Sequence, residues 1–492
     1  MIKVYLNGHK NSHNIYELLR ILMETSEIEF VDYDSIDNEN LYIISSLEDN
    51  VIRTEIYKEG KLISDNIIND IDNINIRRDF EKKTSVGTKK SLYEAIKKVN
   101  NISSPWGILT GIRPSKIVHE LREKGINKDE IFNILTEQYL IAKEKAQLLL
   151  EITEVESKYL YPLDKSNYNL YVSIPFCPTK CVYCSFPSYT LEKWEDLVDS
   201  YTETLLYEIR QIAELMKGQT INTVYIGGGT PTSIPKENLV KIISSINDLF
   251  GRENITEFTV EAGRPDTINE EILQALRDNH IDRISINPQT MNGETLKLIG
   301  RNHSPKDIEE AYIIAKDKGF KSINMDIIVG LPGEDLEDIN NTMNHLSKLN
   351  PENLTVHTLA IKKTSKLNNE KEKYDIAEGE KIEKMLKLTE DYAARMGMKP
   401  YYMYRQKQIL GNFENVGYAK EDKECIYNIL IMEEKQTIIG VGAGAISKVY
   451  YPSQNRLERV PNVKSLKDYI DRIDEMIDRK SIGINNMLTA EA

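Results

Sequence analysis

From Asn169 onward the chain alternates between short apolar runs of strand length and longer stretches with apolar residues every three or four positions. The predicted strands are 169–173, 223–226, 256–261, 283–287, 322–328 and 354–359. The clearest predicted helices are 194–216, 235–249, 267–278, 305–318, 334–347 and 376–396. Six strand–helix units in series predict a parallel sheet covered by helices. The eight units of a closed barrel cannot be counted, so the expected architecture is α/β, an incomplete (βα)6 barrel.

The flanks have a different texture. Residues 2–7, 41–46 and 51–58 alternate like strands, and Leu47-Glu-Asp-Asn50 supplies hairpin chemistry between the last two. Residues 1–85 are therefore expected to form a small α+β unit. Residues 86–165 read as helical, with Gly125 stopping a helix ahead of Asn127. Neither segment carries a catalytic signature, and a structural extension is the expected role. The barrel is expected over 166–398 and a C-terminal α+β, substrate-side domain over 399–492. That last part holds a glycine-rich turn at Gly440–Gly444 and a final amphipathic helix near 464–479.

Charge narrows the partners. Sixty-three basic and 77 acidic residues give 492 residues a net charge of −14, which repels nucleic acid and anionic membrane in bulk. No apolar run reaches the length of a membrane span, and the start lacks an apolar signal region. A soluble, cytoplasmic protein is expected.

Three of the four cysteines, Cys177, Cys181 and Cys184, fall within eight residues directly after the first predicted strand. A disulfide framework wants an even, spread set. Zinc wants four closed ligands, and no second cysteine pair or histidine cluster accompanies these three. The spacing C-x3-C-x2-C suits a cubane iron–sulfur cluster whose fourth iron has no protein ligand. Cys425 stands alone and reads as an ordinary buried thiol.

This spacing, with Tyr183 before the last cysteine, resembles the radical S-adenosylmethionine (SAM) superfamily. The wider string Tyr171-x-x-Ile174-Pro175-Phe176-Cys177 more narrowly resembles the oxygen-independent coproporphyrinogen III dehydrogenase family, from residue 169 to roughly 450. The resemblance implies a [4Fe–4S] cluster held by the three cysteines, with its open iron chelated by SAM, and one or two SAM molecules. One electron then cleaves SAM to methionine and a 5′-deoxyadenosyl radical, chemistry that needs a dry site.

By the same resemblance Gly228, Gly229 and Thr230, in the turn after the second strand, approach SAM. Glycines there leave no side chain in a ligand's way. Glu261 carries over from the tip of the third strand. Gly263 and Arg264 stand where the family pattern Glu-x-Asp-Pro has its last two residues. Gln289, Arg301 and Asp326 match family positions around SAM. Asp326 sits in an apolar run and needs a partner; Arg301 is either that partner or a SAM ligand. Ala360 follows on the sixth strand. Tyr171 and Tyr183 match aromatic positions beside the cluster, or are plain packing. His357 reads as a satisfied core histidine. No catalytic residue is assigned beyond this set.

Two departures matter. The family often continues C-x-C after the third cysteine, where this chain has Phe186. The haem-chaperone branch carries His-Asn-x-x-Tyr-Trp downstream, where this chain has Gly411-Asn-Phe-Glu-Asn-Val-Gly-Tyr418. In Tyr401-Tyr-Met-Tyr-Arg405-Gln-Lys407, Arg405 and Lys407 are candidates for binding substrate propionates, because guanidinium pairs well with carboxylate. Lys362 and Lys363 are a weaker version of that idea. The implied activity is oxidative decarboxylation of coproporphyrinogen III to protoporphyrinogen IX, with a flavodoxin or ferredoxin as electron donor. Haem binding or trafficking, and radical modification of another tetrapyrrole, are the rivals.

Overall fold

The computed structural model describes residues 1–9, 12–23, 25, 27–35, 41–76, 78–100, 104–377 and 379–491. The chain forms two compact units, Met1–Glu154 and Val155–Ala492.

In the first unit five strands form one sheet, in the order Ile28–Phe30, Ile2–Asn7, Leu41–Glu48, Val51–Lys58, Lys61–Ile68. The first three run parallel and the last three form an antiparallel meander. Two-residue turns at Asp49-Asn50 and Glu59-Gly60 have positive φ at both positions, the geometry whose twist matches a hairpin. The meander's last strand, Lys61–Ile68, and the helix Ser12–Leu22 lie outside the sequence expectation. Helices Phe80–Asn100, Ser115–Glu123 and Lys128–Asn133 follow. Gly125 takes φ +76 between the last two, and the Asn127 side chain accepts from Glu130 N at 2.9 Å to cap the second.

In the second unit we number the strands of the large sheet β1 (Asn167–Ile174), β2 (Thr220–Gly228), β3 (Glu257–Glu261), β4 (Arg283–Ser285), β5 (Ser322–Val329), β6 (Asn353–Thr358), β7 (Lys399–Tyr404), β8 (Asn415–Ala419), β9 (Thr437–Val441), β10 (Ile446–Tyr451) and β11 (Arg456–Pro461). The helices are α1 (Val198–Leu215), α2 (Lys236–Phe250), α3 (Glu270–Asp278), α4 (Pro305–Asp317), α5 (Leu336–Leu349), α6 (Gly379–Arg395), α7 (Ile426–Glu433) and α8 (Ile473–Glu491). The sequence expectation placed the start of α6 at 376; Glu378 lies outside the described residues.

The six expected strands are adjacent and parallel in chain order, β1 to β6. They are buried nearly end to end, as strands packed on both faces must be. The helices between them present apolar stripes to the sheet; α2 buries Leu239, Ile242, Ile243 and Ile246.

Both edges are extended by the C-terminal residues. β9 pairs parallel to β1, with Gly440 opposite Tyr171, so the parallel core has seven strands and not six. β10 and β11 continue beyond it, each antiparallel to its neighbour, while at the other edge β8 pairs antiparallel to β6 and β7 antiparallel to β8. The final amphipathic stretch is two helices, Leu466–Asp471 and α8. A buried ion pair fixes α8 to α1: Lys480 contacts Glu208, and both side chains are fully buried. Glu208 also accepts from Gly442 N at 2.7 Å and from Tyr469 Oη at 2.6 Å, which compensates the cost of burying its charge. Among the described residues no helix is long and apolar enough to cross a membrane.

Candidate active site

The first functional loop leaves β1 at Ile174. Phe176–Cys177 pairs with Tyr189–Thr190, so the loop closes on itself. Val182 N donates to Ile299 O at 3.1 Å and Leu367 N donates to Val182 O at 2.9 Å, pinning its middle. The loop presents the free thiols of Cys177, Cys181 and Cys184 to a cavity of about 290 Å³. That cavity opens at the C-terminal tips of β1–β6, where α/β sites form.

The other walls come from those tips. Gly228, Gly229 and Thr230 line the cavity after β2, Glu261 at the end of β3, and Gln289 after β4. Asp326 in β5, Ala360 after β6, Arg301 and Tyr183 complete the predicted set. The glycines are required. A Cβ on Gly229 would stand 2.5 Å from Phe176 O and 2.9 Å from Cys177 Sγ. Gly228 takes φ +117, and a Cβ there would meet Ile174 O at 2.9 Å. Gln289 takes φ +66, an uncommon conformation for a side-chain-bearing residue. Its N–H donates to Asp326 O and its carbonyl accepts from Ile328 N, both at 2.9 Å, so the sheet edge holds the strained residue in place.

The charges settle which residue faces Asp326. Arg301 does not pair with Asp326. Its guanidinium donates to Asn287 O at 2.6 Å and to Tyr183 Oη at 3.3 Å. Asp326 instead accepts from Asn324 Nδ2 at 2.7 Å and faces His357 Nε2 at 3.6 Å. Burial pushes the Asp326 carboxyl up, but His357, Asn324 and Thr355 outweigh it and hold the pKa below its ordinary value. His357 in turn bonds Tyr404 Oη through Nδ1 at 3.1 Å and lines the cavity, so it is a wall residue rather than a core one. Glu261 is not a solvated strand end. It accepts from Tyr225 Oη at 2.6 Å, and burial pushes its carboxyl up to about 7 against that bond.

Three predicted residues stand off this cavity. Tyr171 lies one layer below, stacked with Tyr225 and Tyr427 at 6.4 and 6.2 Å between ring centroids. Arg405 is buried and donates to Asn412 O at 3.1 Å; burial pulls its pKa down to about 10. Lys407 is not among the residues lining the cavity; its backbone carbonyl accepts from Lys362 Nζ at 2.8 Å. Just past the end of β7 the chain turns Arg405 to Asn412, and its neighbours Tyr404 and Gln406 are the ones that face the cavity. Lys362 lines it as well. Sequence reasoning also missed Thr179, Lys180, Arg264 and Asn287 as wall residues. Arg264 lies three residues after Glu261 and Asn287 two before Gln289, and Thr179 and Lys180 lie between two cysteines, so nearness to those residues was the usable signal.

A second cavity, about 260 Å³, adjoins the first inside the barrel. The two share Glu261, Asp326, His357, Tyr404 and Phe186. The rest of its wall is mid-strand and C-terminal: Tyr225, Asn324, Tyr402, Cys425 and Asn428 among them. Cys425 contacts Glu257 Oε1 at 3.4 Å, and burial pushes its thiol up to about 12.

A parallel α/β sheet with a three-cysteine loop at its mouth is the arrangement of one class of protein, and the comparisons agree. A family model described as the radical SAM superfamily matches residues 171–346. The oxygen-independent coproporphyrinogen-III oxidase-like protein HemZ of Bacillus subtilis is 43% identical over 387 residues, 77% of this chain and 77% of that protein. The heme chaperone HemW of Bacillus subtilis is 30% identical over 308 residues, 62% of this chain and 76% of that one. The coproporphyrinogen III oxidase HemN of Escherichia coli shares the fold, with a TM-score of 0.53 at 24% identity over 66% of this chain and 73% of that one. The chain belongs to the oxygen-independent coproporphyrinogen-III oxidase-like family of the radical SAM superfamily.

The cofactors of that superfamily are a [4Fe–4S] cluster and SAM. The cavity fits both. Gly229 leaves open beside Cys177 Sγ the space that any Cβ would fill. On the far wall Arg301 Nε and Asn287 Oδ1 are buried with no hydrogen-bond partner among the described residues, as groups reserved for a polar ligand would be. Burial pushes the Cys177 thiol up to about 11 and raises Cys184, so loading a metal there must displace protons from the loop.

Proposed function

We propose that the protein is a radical SAM oxidoreductase that decarboxylates the propionates of coproporphyrinogen III to vinyl groups. The observation that carries this reading is the pair of joined cavities, one with the cysteine loop and one lined by aromatic and polar side chains behind it. Together they reach the size range of small-molecule sites, about 300–1,000 Å³.

In this reading Cys177, Cys181 and Cys184 hold three irons of the cluster. Gly228, Gly229, Thr230, Glu261, Gln289, Arg301, Asp326, Ala360 and Tyr183 surround SAM, and Tyr171 supports them from below. When bound, cluster and SAM supply a hydrogen-abstracting 5′-deoxyadenosyl radical. That chemistry would remove a hydrogen atom from the propionate Cβ, and loss of CO2 and of one electron to an external acceptor would leave a vinyl group. The chain's own part is to exclude water and orient. Lys362, with Lys180 across the mouth, takes the carboxylate-binding role expected of Arg405 and Lys407. Tyr404 and His357, shared by both cavities, steer the propionate toward SAM.

Residues 399–492 supply the substrate side: Tyr402, Cys425 and Asn428 of the inner cavity all come from them. Residues 1–85 and 86–165 are a structural extension. The reducing electron comes from a flavodoxin or ferredoxin in the cytoplasm, and nucleic acid takes no part, in keeping with the net charge of −14.

Anaerobic incubation with coproporphyrinogen III, SAM and a low-potential reductant tests the reading. Vinyl products are expected; 5′-deoxyadenosine with no vinyl product would shift it to another tetrapyrrole. The similarity to a heme chaperone favours one rival, haem trafficking. Stoichiometric haem binding with no product would establish that instead. SAM titration divides the cavities: one SAM per cluster leaves the inner cavity to substrate, two would reassign it.

A further inference from the structure

Arg264 is almost wholly buried and points back at the cysteine loop. Its Nη1 donates to Thr179 Oγ1 at 2.8 Å and to Thr179 O at 3.3 Å, and lies 4.0 Å from Cys181 Sγ. On its other side Nε and Nη2 form a two-pronged pair with Asp266 at 2.9 and 2.7 Å. Thr179 Oγ1 donates onward to Gly300 O at 3.1 Å, which fixes the residue that the guanidinium grips. The guanidinium therefore has one orientation, with its Nη1 edge toward the sulfur.

A buried cation held this way does more than shape the loop. A cluster gains one negative charge on reduction, and its potential is set by net charge and by hydrogen bonds to its sulfurs. A fixed positive charge beside one thiolate stabilises the reduced form. Asp266 offsets part of that charge and sets how much of it the cluster feels. Arg301 is a second cation at the same sulfur: it donates to Asn287 O and Tyr183 Oη and also interacts with Cys181, so Arg264 supplies one part of the positive field there.

We propose that Arg264 is a positioning residue that raises the reduction potential of the cluster through Cys181, with Asp266 as its counterweight. The inference rests on the three-cysteine ligand reading. The redox step is a single electron entering from an external low-potential reductant, with no bond made or broken.

The test is anaerobic redox titration of the cluster-loaded protein, without SAM, against dithionite, read by the electron paramagnetic resonance of the reduced cluster. Omitting SAM matters because Arg264 also lines the SAM cavity. Arg264→Met is expected to lower the reduced-to-oxidised ratio at fixed poise about tenfold, about 59 mV for a one-electron couple. Arg264→Lys, which keeps a charge, should recover part of the loss. A potential unchanged in loaded Arg264→Met overturns the proposal. If that variant fails to load, Asp266→Asn decides with the opposite sign: a rise in reduced fraction is expected, and no rise overturns the proposal. Cys181→Ala distinguishes the two levels, because a full cluster in that variant would refute the ligand reading itself.

Discussion

The two cavities share a wall at Glu261, Asp326, His357, Tyr404 and Phe186 and differ in the other residues that line them. The outer one is built from loops and strand tips: a cysteine loop, a triple-glycine turn, and Gln289 in a left-handed conformation. The inner one is built from mid-strand side chains and from the C-terminal residues, with tyrosines at 225, 402 and 404 and a spare thiol at Cys425. Loops tolerate the special backbone that close approach to a ligand needs, whereas a strand interior offers only side chains at fixed spacing. The outer cavity is therefore suited to grip a cofactor by backbone and thiol. The inner one is suited to contact a substrate by aromatic and hydrogen-bonding surface.

The strongest break of that contrast is at the cysteines. Cys177→Ala, Cys181→Ala or Cys184→Ala should each abolish the visible absorbance and stoichiometric iron of the cluster. Retention in all three would dissolve the distinction between the cavities.

A smaller effect is expected at the glycine turn. Gly229→Ala forces a methyl to within 2.5 Å of Phe176 O. Overpacking of this kind costs about 1–3 kcal/mol. Thermal unfolding should show that loss, together with reduced iron loading, because the same methyl crowds Cys177 Sγ.

The shared wall gives a pH signature. The Glu261 carboxyl, raised to about 7, binds its proton more tightly folded than unfolded. Its contribution to stability is thus full below about pH 4.5 and is lost as pH rises through about 7. Comparing melting temperatures from pH 5 to 8, wild type should fall relative to Glu261→Gln and then level off. A constant difference would mean the carboxyl does not titrate there.

The smallest effect belongs to the inner cavity. Cys425→Ser should leave iron content and cluster spectra unchanged and cost about 1 kcal/mol or less, since a hydroxyl can replace the thiol's contact with Glu257. Any loss of iron in this variant would make the fourth cysteine part of the cofactor site.

The same contrast governs what the sequence discloses. Cys177, Gly228 and Glu261 were legible because each sits at or just past a strand tip inside a short motif, and Asp326 because it is a carboxylate within an apolar strand; chain order alone orders the six strands β1 to β6. The direction of Arg405 was not legible, because composition shows a cation but not where it turns; Tyr404 and Gln406 face the cavity instead. Of the two readings open for Tyr171, its ring meets Tyr225 and Tyr427. Which residue faces Asp326 was left open by the sequence, because His357 and Arg301 are both distant from it in the chain and only packing chose between them.

By itself the sequence determined the alternation of strands and helices, the three-cysteine loop, the glycine turn behind it and the family. Those rest on local spacing and backbone chemistry. Tertiary structure alone decided that β9 pairs with β1 as a seventh parallel strand, that Lys480 reaches Glu208, that Arg264 lies against Cys181, and that a second cavity joins the first. Each of these depends on contacts between residues far apart in the chain. Which of many possible contacts forms is settled by burial and hydrogen bonding in the folded whole, not by any local pattern.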